Sequence, residues 1–578
     1  MKHKPIISLV ALLLGSTLCS AGEYDALFGW NRSAAPKSIA VCRSTTDIAE
    51  SMMLASLSGL ASQATLDGRF DEMVWNDVDH PISYKMLYQN VVDILAPDRI
   101  RRCDVWQLLD DYRRQGIVKG YVLYRADSSE GRFYSRRENI DLSVNVATVY
   151  AGLLQGVLVE ESLEPKMRKL GLRRLKDCRK ITPTECFERL HKELNNRSAV
   201  SVDPKSANCR EYAIANRLMV YYDVTPLSER ILEWLQPLSP IVGWNCPDEL
   251  SHTSMVSRWG HFNTASDWCE NITLLSAAST LTEPLKNREI LPDQIDFDHD
   301  VAHHAYLLSD GDNMQWSYGA FLTDDDFFAN GHKSEFGINW TSCPINLSIM
   351  ATPVWNTIVR AKPTVNSIVE YGGGYQYPDL FAVERPNRPK LLREFARRLN
   401  EQMTRLGVTI LGVICIDVDS EASREAFKVY AEEIENLTGI IAIQYYPYEL
   451  DGNIMWFDNG SSVDIPVVTA KYSIWQTVDP NRPRGGSPEF VSSLINRNEL
   501  SAGQQNAERE LAFTVVHAWS LFDSSNSATK TPLRGANAAY SSSTQLVDSI
   551  ETCSMEELLW RIRMRYRTQQ TKQLLNIK

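Results

Sequence analysis

Between residues 301 and 550 the chain repeats one unit: a short apolar run, a polar loop, then an amphipathic helix. Apolar runs at 305–308, 366–369, 408–416, 439–443, 465–468 and 511–516, with 337–340 after the first, read as strands. They are continuously apolar rather than alternating, so both faces must be covered, as in a parallel sheet flanked by helices. The helix after the run at 366–369 is legible from Leu392, Phe395, Leu399, Met403 and Leu406, with Gly407 as its stop. In the next, Asp419 or Ser420 is the N-cap, and Phe427, Tyr430, Ile434 and Leu437 form one stripe before Gly439. The expected fold class is α/β, with a C-terminal TIM-barrel-like (β/α) domain over residues 301–550. The strand candidates fall one short of a full ring, which keeps an irregular barrel or an open doubly wound sheet as the alternative.

A chain of 578 residues exceeds one hydrophobic core, so further domains are required. Over residues 22–280, apolar runs at 120–124, 219–222 and 241–244 alternate with helical patterns, giving a smaller α/β N-terminal domain. Residues 281–300 weaken into Pro- and Asp-containing sequence and read as a linker. In residues 551–578, Ser554-x-x-Glu557 has the form of a capping box that opens a C-terminal helix.

Lys2, His3 and Lys4 precede an apolar stretch at 6–18 and the small residues around Ala21, the pattern of a cleaved signal peptide over residues 1–21. That stretch is shorter than the ~20 residues a bilayer requires, and no second run approaches that length. The mature protein is therefore expected to be secreted or extracytoplasmic, with no membrane association after cleavage. Of eleven cysteines, ten would remain after loss of Cys19, which permits several disulfides in an oxidising compartment. N-x-S/T sequons, the acceptor pattern of glycoproteins, stand at Asn31, Asn196, Asn271, Asn339, Asn346, Asn436 and Asn459. A net charge of -12 without any basic run argues against nucleic acid as a partner.

In parallel α/β folds the loops after the strands carry the site. Here those loops hold Asp310, Asp312, Asn313 and Trp316, then Glu370, Tyr375 and Tyr377, then Asp417, Tyr445, Lys471, His517 and Trp519. Aromatic faces stack on the C–H faces of sugars while carboxylates bind their hydroxyls, so the mixture suits a carbohydrate partner. A carboxyl pair supplies glycoside hydrolysis, one protonating the leaving oxygen and the other acting as nucleophile or base. An Asp at a strand end equally reads as the N-cap of the next helix, Asp419 above all. His299, His303 and His304 precede their strand and would lie about 20 Å from Asp310, so no metal or cofactor is expected.

The run Gly372-x-Gly374-Tyr375-x-Tyr377-Pro378 resembles the signature of the GxGYxYP family, whose label is "putative glycoside hydrolase", and the match is complete across the motif. Residues 308–316 resemble that family's aspartate-rich strand end, and Gly243-Trp244 and Asp267-Trp268 with Asn271 resemble its N-terminal part. The resemblance implies a TIM-barrel-like hydrolase domain. The leading expectation is an exported glycoside hydrolase whose catalytic pair comes from Asp310, Glu370 and Asp417. Tyr375, Tyr377, Trp316 and Trp519 would be sugar platforms, and Asp312, Asn313, Lys471 and His517 would bind hydroxyls or tune an acid. The rival readings are a non-catalytic carbohydrate-binding protein and a metal-dependent carbohydrate esterase with Asp310, Asp312 and His517 around the ion.

Overall fold

The computed structural model of the protein describes residues 35–577 apart from 79–81, 132–136, 245–247, 280–281, 286–290, 372, 478–483, 506 and 524–531. The signal-peptide segment, Asn31, Cys19, Cys246 and part of the linker segment lie outside the described residues.

The N-terminal α/β region is built on three small parallel sheets rather than one. The first contains β1 (Ser38–Arg43), β2 (Glu72–Asp77) and β3 (Arg99–Cys103), and the second β4 (Gly120–Tyr124), β5 (Gly156–Glu160) and β6 (Arg174–Asp177). The third holds β7 (Asn195–Ser201), β8 (Leu218–Tyr221), β9 (Pro240–Gly243) and β10 (Phe262–Ala265) in the order β10-β9-β7-β8. A helix, Ile48–Leu66, is buried on nearly every side between them. Its Gln63 amide donates to Gly152 O at 2.9 Å and Ile214 O at 2.8 Å, satisfying carbonyls at the ends of two other helices.

The C-terminal region is one curled sheet. Its strands are β11 (Ala302–Leu308), β12 (Ile338–Ser342), β13 (Ile368–Glu370), β14 (Ile410–Cys415), β15 (Gly439–Gln444), β16 (Ile454–Asp458), β17 (Asp464–Thr469), β18 (Tyr472–Ile474), β19 (Gly485–Gly486), β20 (Leu511–Val516) and β21 (Ile550–Thr552). The order is β16-β17-β15-β14-β13-β12-β11-β20-β18-β19, with β21 beside the start of β11. Only β16 runs antiparallel. The closed TIM barrel expected from the sequence is not what forms. Among the described residues β17 and β18 do not pair, because they are successive stretches of one segment separated by Ala470 and Lys471. The first stretch pairs with β15 and the second with β20, while β16 occupies the other edge of β17, so the ring lacks a separate strand to close it.

The inside of the curl is apolar, formed by Leu307, Ile410, Ile441, Val468 and Phe513 among others. Met555, Leu558, Leu559 and Ile562 of the helix Met555–Tyr566 pack into the same cluster and seal the end where the strands begin. Ser554 is that helix's N-cap, accepting from Glu557 N at 3.1 Å. Helix Arg388–Leu406 buries the periodic residues read from the sequence and ends at Gly407. In the next helix, Glu421–Glu433, the cap is Ser420 and not Asp419.

The nine described cysteines are all free thiols, eight of them buried in packed positions, so the expected disulfides do not form among the described residues. Three sequon asparagines, Asn271, Asn339 and Asn346, are buried at 2 % exposure or less, which closes them to glycosylation.

The two regions are joined at the motif loop. Tyr375 and Asn263, just inside β10, exchange two main-chain hydrogen bonds of 2.8 Å, and Ser257 Oγ accepts from Tyr377 N at 3.0 Å. Gly374 has φ +133°, and a Cβ there would lie 2.4 Å from Phe262 Cδ2 and 3.0 Å from Asn263 O. The family-type glycine is thus demanded by backbone approach to β10. Gly374→Ala is expected to cost about 2–4 kcal/mol through strain and overpacking, read as a lower midpoint in thermal or urea unfolding.

Candidate active site

Asp310 follows β11 with φ +66°, in the left-handed region where a non-glycine side chain carries strain and where such outliers gather at functional sites. The turn is fixed by Gly311, whose N–H donates to Thr341 Oγ1 at 2.9 Å and which has no room for a Cβ, Thr341 C and O lying 2.0 Å away. The Asp310 carboxylate accepts from Trp519 Nε1 at 3.0 Å and from Ser309 Oγ, so both oxygens serve as acceptors. Trp519 follows β20, the strand beside β11, which brings the indole across the mouth.

Two further carboxyls lie close enough to feel the charge of Asp310. Asp312, two residues on, is 9 % exposed, and burial with the charges of Asp310 and Glu249 holds its carboxyl well above the usual range. Glu249 opens the helix Glu249–Arg258 of the N-terminal region. Burial pushes it up to about 7, opposed by a hydrogen bond from Tyr375 and reinforced by Asp310 and Asp248. The Tyr375 hydroxyl donates to Glu249 Oε1 and lies 3.3 Å from that of Tyr377. Burial thus raises both Asp312 and Glu249 beside Asp310, and perturbed carboxyls grouped in this way mark candidate functional sites.

Rings line the remainder. Tyr375 stacks on Trp244 with centroids 6.1 Å apart and planes within 4°, and Tyr377 stands edge-on to both Tyr375 and Tyr445. Buried Tyr371 and half-buried Tyr448 feel the charges of Asp310, Asp312 and Glu249, which raise their hydroxyls after burial itself. Tyr448 stacks on Trp475 at 4.6 Å, and Trp475 lies 5.3 Å from His517. Burial lowers His517, and Asp310 opposes the shift. Trp316 packs 4.9 Å from Trp519 and holds it from behind.

Residues 301–531 match the family model described as "GxGYxYP putative glycoside hydrolase C-terminal domain". Residues 118–194 match the family's N-terminal second domain and 196–277 its third. The chain belongs to the GxGYxYP family. A solved structure described as a putative hydrolase from Bacteroides thetaiotaomicron VPI-5482 shares the fold, with a TM-score of 0.75 at 19 % identity over 93 % of this chain and 96 % of that one. No curated protein sequence matches the chain.

Of the residues singled out from the sequence, Asp310, Asp312, Trp316, Tyr375, Tyr377, Tyr445, His517 and Trp519 are brought to this mouth. Asn313 lies in the same turn, its main chain accepting from Trp316 N at 3.1 Å and its buried Oδ1 without a protein partner. Three others are placed elsewhere. Glu370 is wholly buried beneath the motif loop, where one oxygen accepts from Ile345 N at 3.0 Å and the other from Gly373 N at 2.8 Å. Asp417 is exposed at the end of β14 and accepts from Asp419 N at 3.0 Å, a local turn rather than a part of the acid group. Lys471 pairs with Glu510, the residue before β20, and so points to the far end of the sheet. Among the described residues no three His, Cys, Asp or Glu side chains are grouped to hold a metal ion.

Glu249 was missed because it comes from the N-terminal region and its sequence context is that of an ordinary first-turn glutamate after Asp248, which is indeed the N-cap. Tyr448 and Trp475 carry no signal beyond lying just after strands.

Glu370→Gln would set an amide N–H₂ against one of two buried main-chain donors, with an expected loss of about 2–3 kcal/mol that unfolding measurements would register. The raised carboxyls also predict a pH dependence. Glu249 and Glu370 move from 4.5 to about 7 in the folded protein, so the native state binds these protons more tightly. The stability they contribute is complete below about 4.5 and is lost as pH rises through about 7. The unfolding temperature should therefore fall between about pH 5 and pH 8, and Glu249→Gln should reduce the slope.

Proposed function

We propose that the protein is an exported glycoside hydrolase that cleaves a glycosidic bond at this mouth, with Glu249 as proton donor and Asp310 as its partner acid. The observation that carries this reading is the contrast between two neighbouring acids. Asp310 accepts from an indole N–H and a hydroxyl, whereas half-buried Glu249 is held near neutrality. Protonated Glu249 would give its proton to the glycosidic oxygen as the C–O bond breaks. The Asp310 carboxylate would attack the anomeric carbon, or deprotonate the water that does so. Asp312, its carboxyl held well above the usual range by burial, would serve as a hydrogen-bond donor to substrate. Trp244, Tyr375 and Tyr377 form a rigid wall behind Glu249, and the family label supports carbohydrate as the substrate class. The barrel-like strand order, with a mouth at the strand ends, fits the same reading. Export rests on the pattern at residues 1–21.

The test is release of reducing ends from a broad panel of oligosaccharides, with and without chelator. Asp310→Asn and Glu249→Gln should each lower turnover by roughly 10²–10⁴-fold, with chelator making no difference. The wild-type rate should decline on the alkaline side through about 7 as Glu249 loses its proton, and Glu249→Gln should abolish that limb. Sugar binding without cleavage by the wild type would move the assignment to a carbohydrate-binding protein, and inhibition by chelator would move it to the metal-dependent esterase.

A further inference from the structure

Three large aromatic side chains remain exposed around the acids: Trp268 at 67 %, Trp519 at 42 % and Tyr446 at 47 %. Leaving rings of that size in water forgoes the hydrophobic gain of burial, and exposed apolar surface rimmed by polar groups marks binding surface. Their placement is ordered rather than scattered. On one side, Trp519 donates to Asp310 and packs on Trp316. Trp316 stands next to Gln315, whose Oε1 accepts from Trp268 N at 2.9 Å. On the other, Asp310 acts on His517, His517 packs on Trp475, and Trp475 lies 5.6 Å from the Tyr446 ring. Trp316, Trp519 and Trp475 follow β11, β20 and β18, neighbours in the sheet, while Trp268 follows β10 and Tyr446 follows β15, so the outer rings are delivered by other strands than the central ones. A pocket for one terminal sugar needs a single platform, whereas an arc with outlying rings on both flanks fits a ligand that continues in both directions.

We propose that the site binds a chain of sugar rings lying across the mouth, cut internally, with Trp268 and Tyr446 as the outermost platforms on either side of Asp310. The inference rests on the carbohydrate reading of the site and adds the class of substrate, an oligo- or polysaccharide attacked away from its ends. Neither Trp268 nor Tyr446 touches the acids, so they set chain-length preference and not the chemistry.

The experiment uses the full chain carrying Asp310→Asn to suppress turnover, and titrates it by calorimetry with cello-, xylo-, chito- and malto-oligosaccharides from disaccharide to hexasaccharide. Affinity should climb with ring number in at least one series. Adding Trp268→Ala or Tyr446→Ala should remove the gain from the outer rings, about tenfold on the hexasaccharide, roughly 1.4 kcal/mol, with the disaccharide unaffected. Affinity level from the disaccharide upward, equal weakening at every length, no effect of either substitution, or no binding in any series would overturn the proposal. Cleavage of the same series by the wild-type protein is followed in parallel. Length-dependent binding without cleavage would sink the hydrolase assignment and internal cutting with it, leaving only the binding of an extended sugar chain.

Discussion

The pair of main-chain hydrogen bonds between Tyr375 and Asn263 is the fastening on which the site depends. It adds the motif loop to β10 as an antiparallel bridge and makes the C-terminal sheet and the third N-terminal sheet one rigid frame at this point. Everything at the mouth follows from it. Tyr375 is set where its hydroxyl reaches Glu249, and Tyr377 is tied to Ser257 on the helix that carries Glu249. Gly374 is then a steric condition of the fastening, since any side chain would drive the loop away from Phe262. The glycines and tyrosines of the motif therefore share one cause, close docking of a loop against a strand from another part of the chain.

That docking also explains the electrostatics. Glu249 and Asp312 are pushed up by removal from water before any neighbouring charge acts, because the loop and the N-terminal helix cover them together. Glu370 lies below the same loop with a different task. Its two oxygens take the N–H of Ile345, at the start of the helix Pro344–Met350, and the N–H of Gly373. A buried carboxyl matched to two main-chain donors is a fixture that holds a turn in shape.

The sequence carried the strands and helices of the C-terminal region well, because continuous apolar runs and a three-to-four residue stripe report burial directly. The run at 439–443 lies within β15 and that at 511–516 is β20 itself. It carried Asp310 and the tyrosines of the motif because they follow those strands. It did not carry closure of the sheet, since whether β17 and β18 are two strands or one segment with two partners depends on register, which the pattern does not encode. Nor did it carry Glu249, whose place at the mouth rests on contact with a tyrosine 126 positions away, or the placement of Glu370, which obeys the strand-end rule yet faces inward. The cysteines mislead for a related reason: an even count is compatible with pairing, yet the nine described are free thiols, even Cys42 and Cys103, which stand opposite one another on β1 and β3, and most serve as small apolar residues in the packing.

The helix Met555–Tyr566 fills the lower end of the curled sheet with Met555, Leu558, Leu559 and Ile562. The interior of the curl is thus packed side chains floored by a helix, a solid rather than a pore, and no chain molecule could be threaded through it.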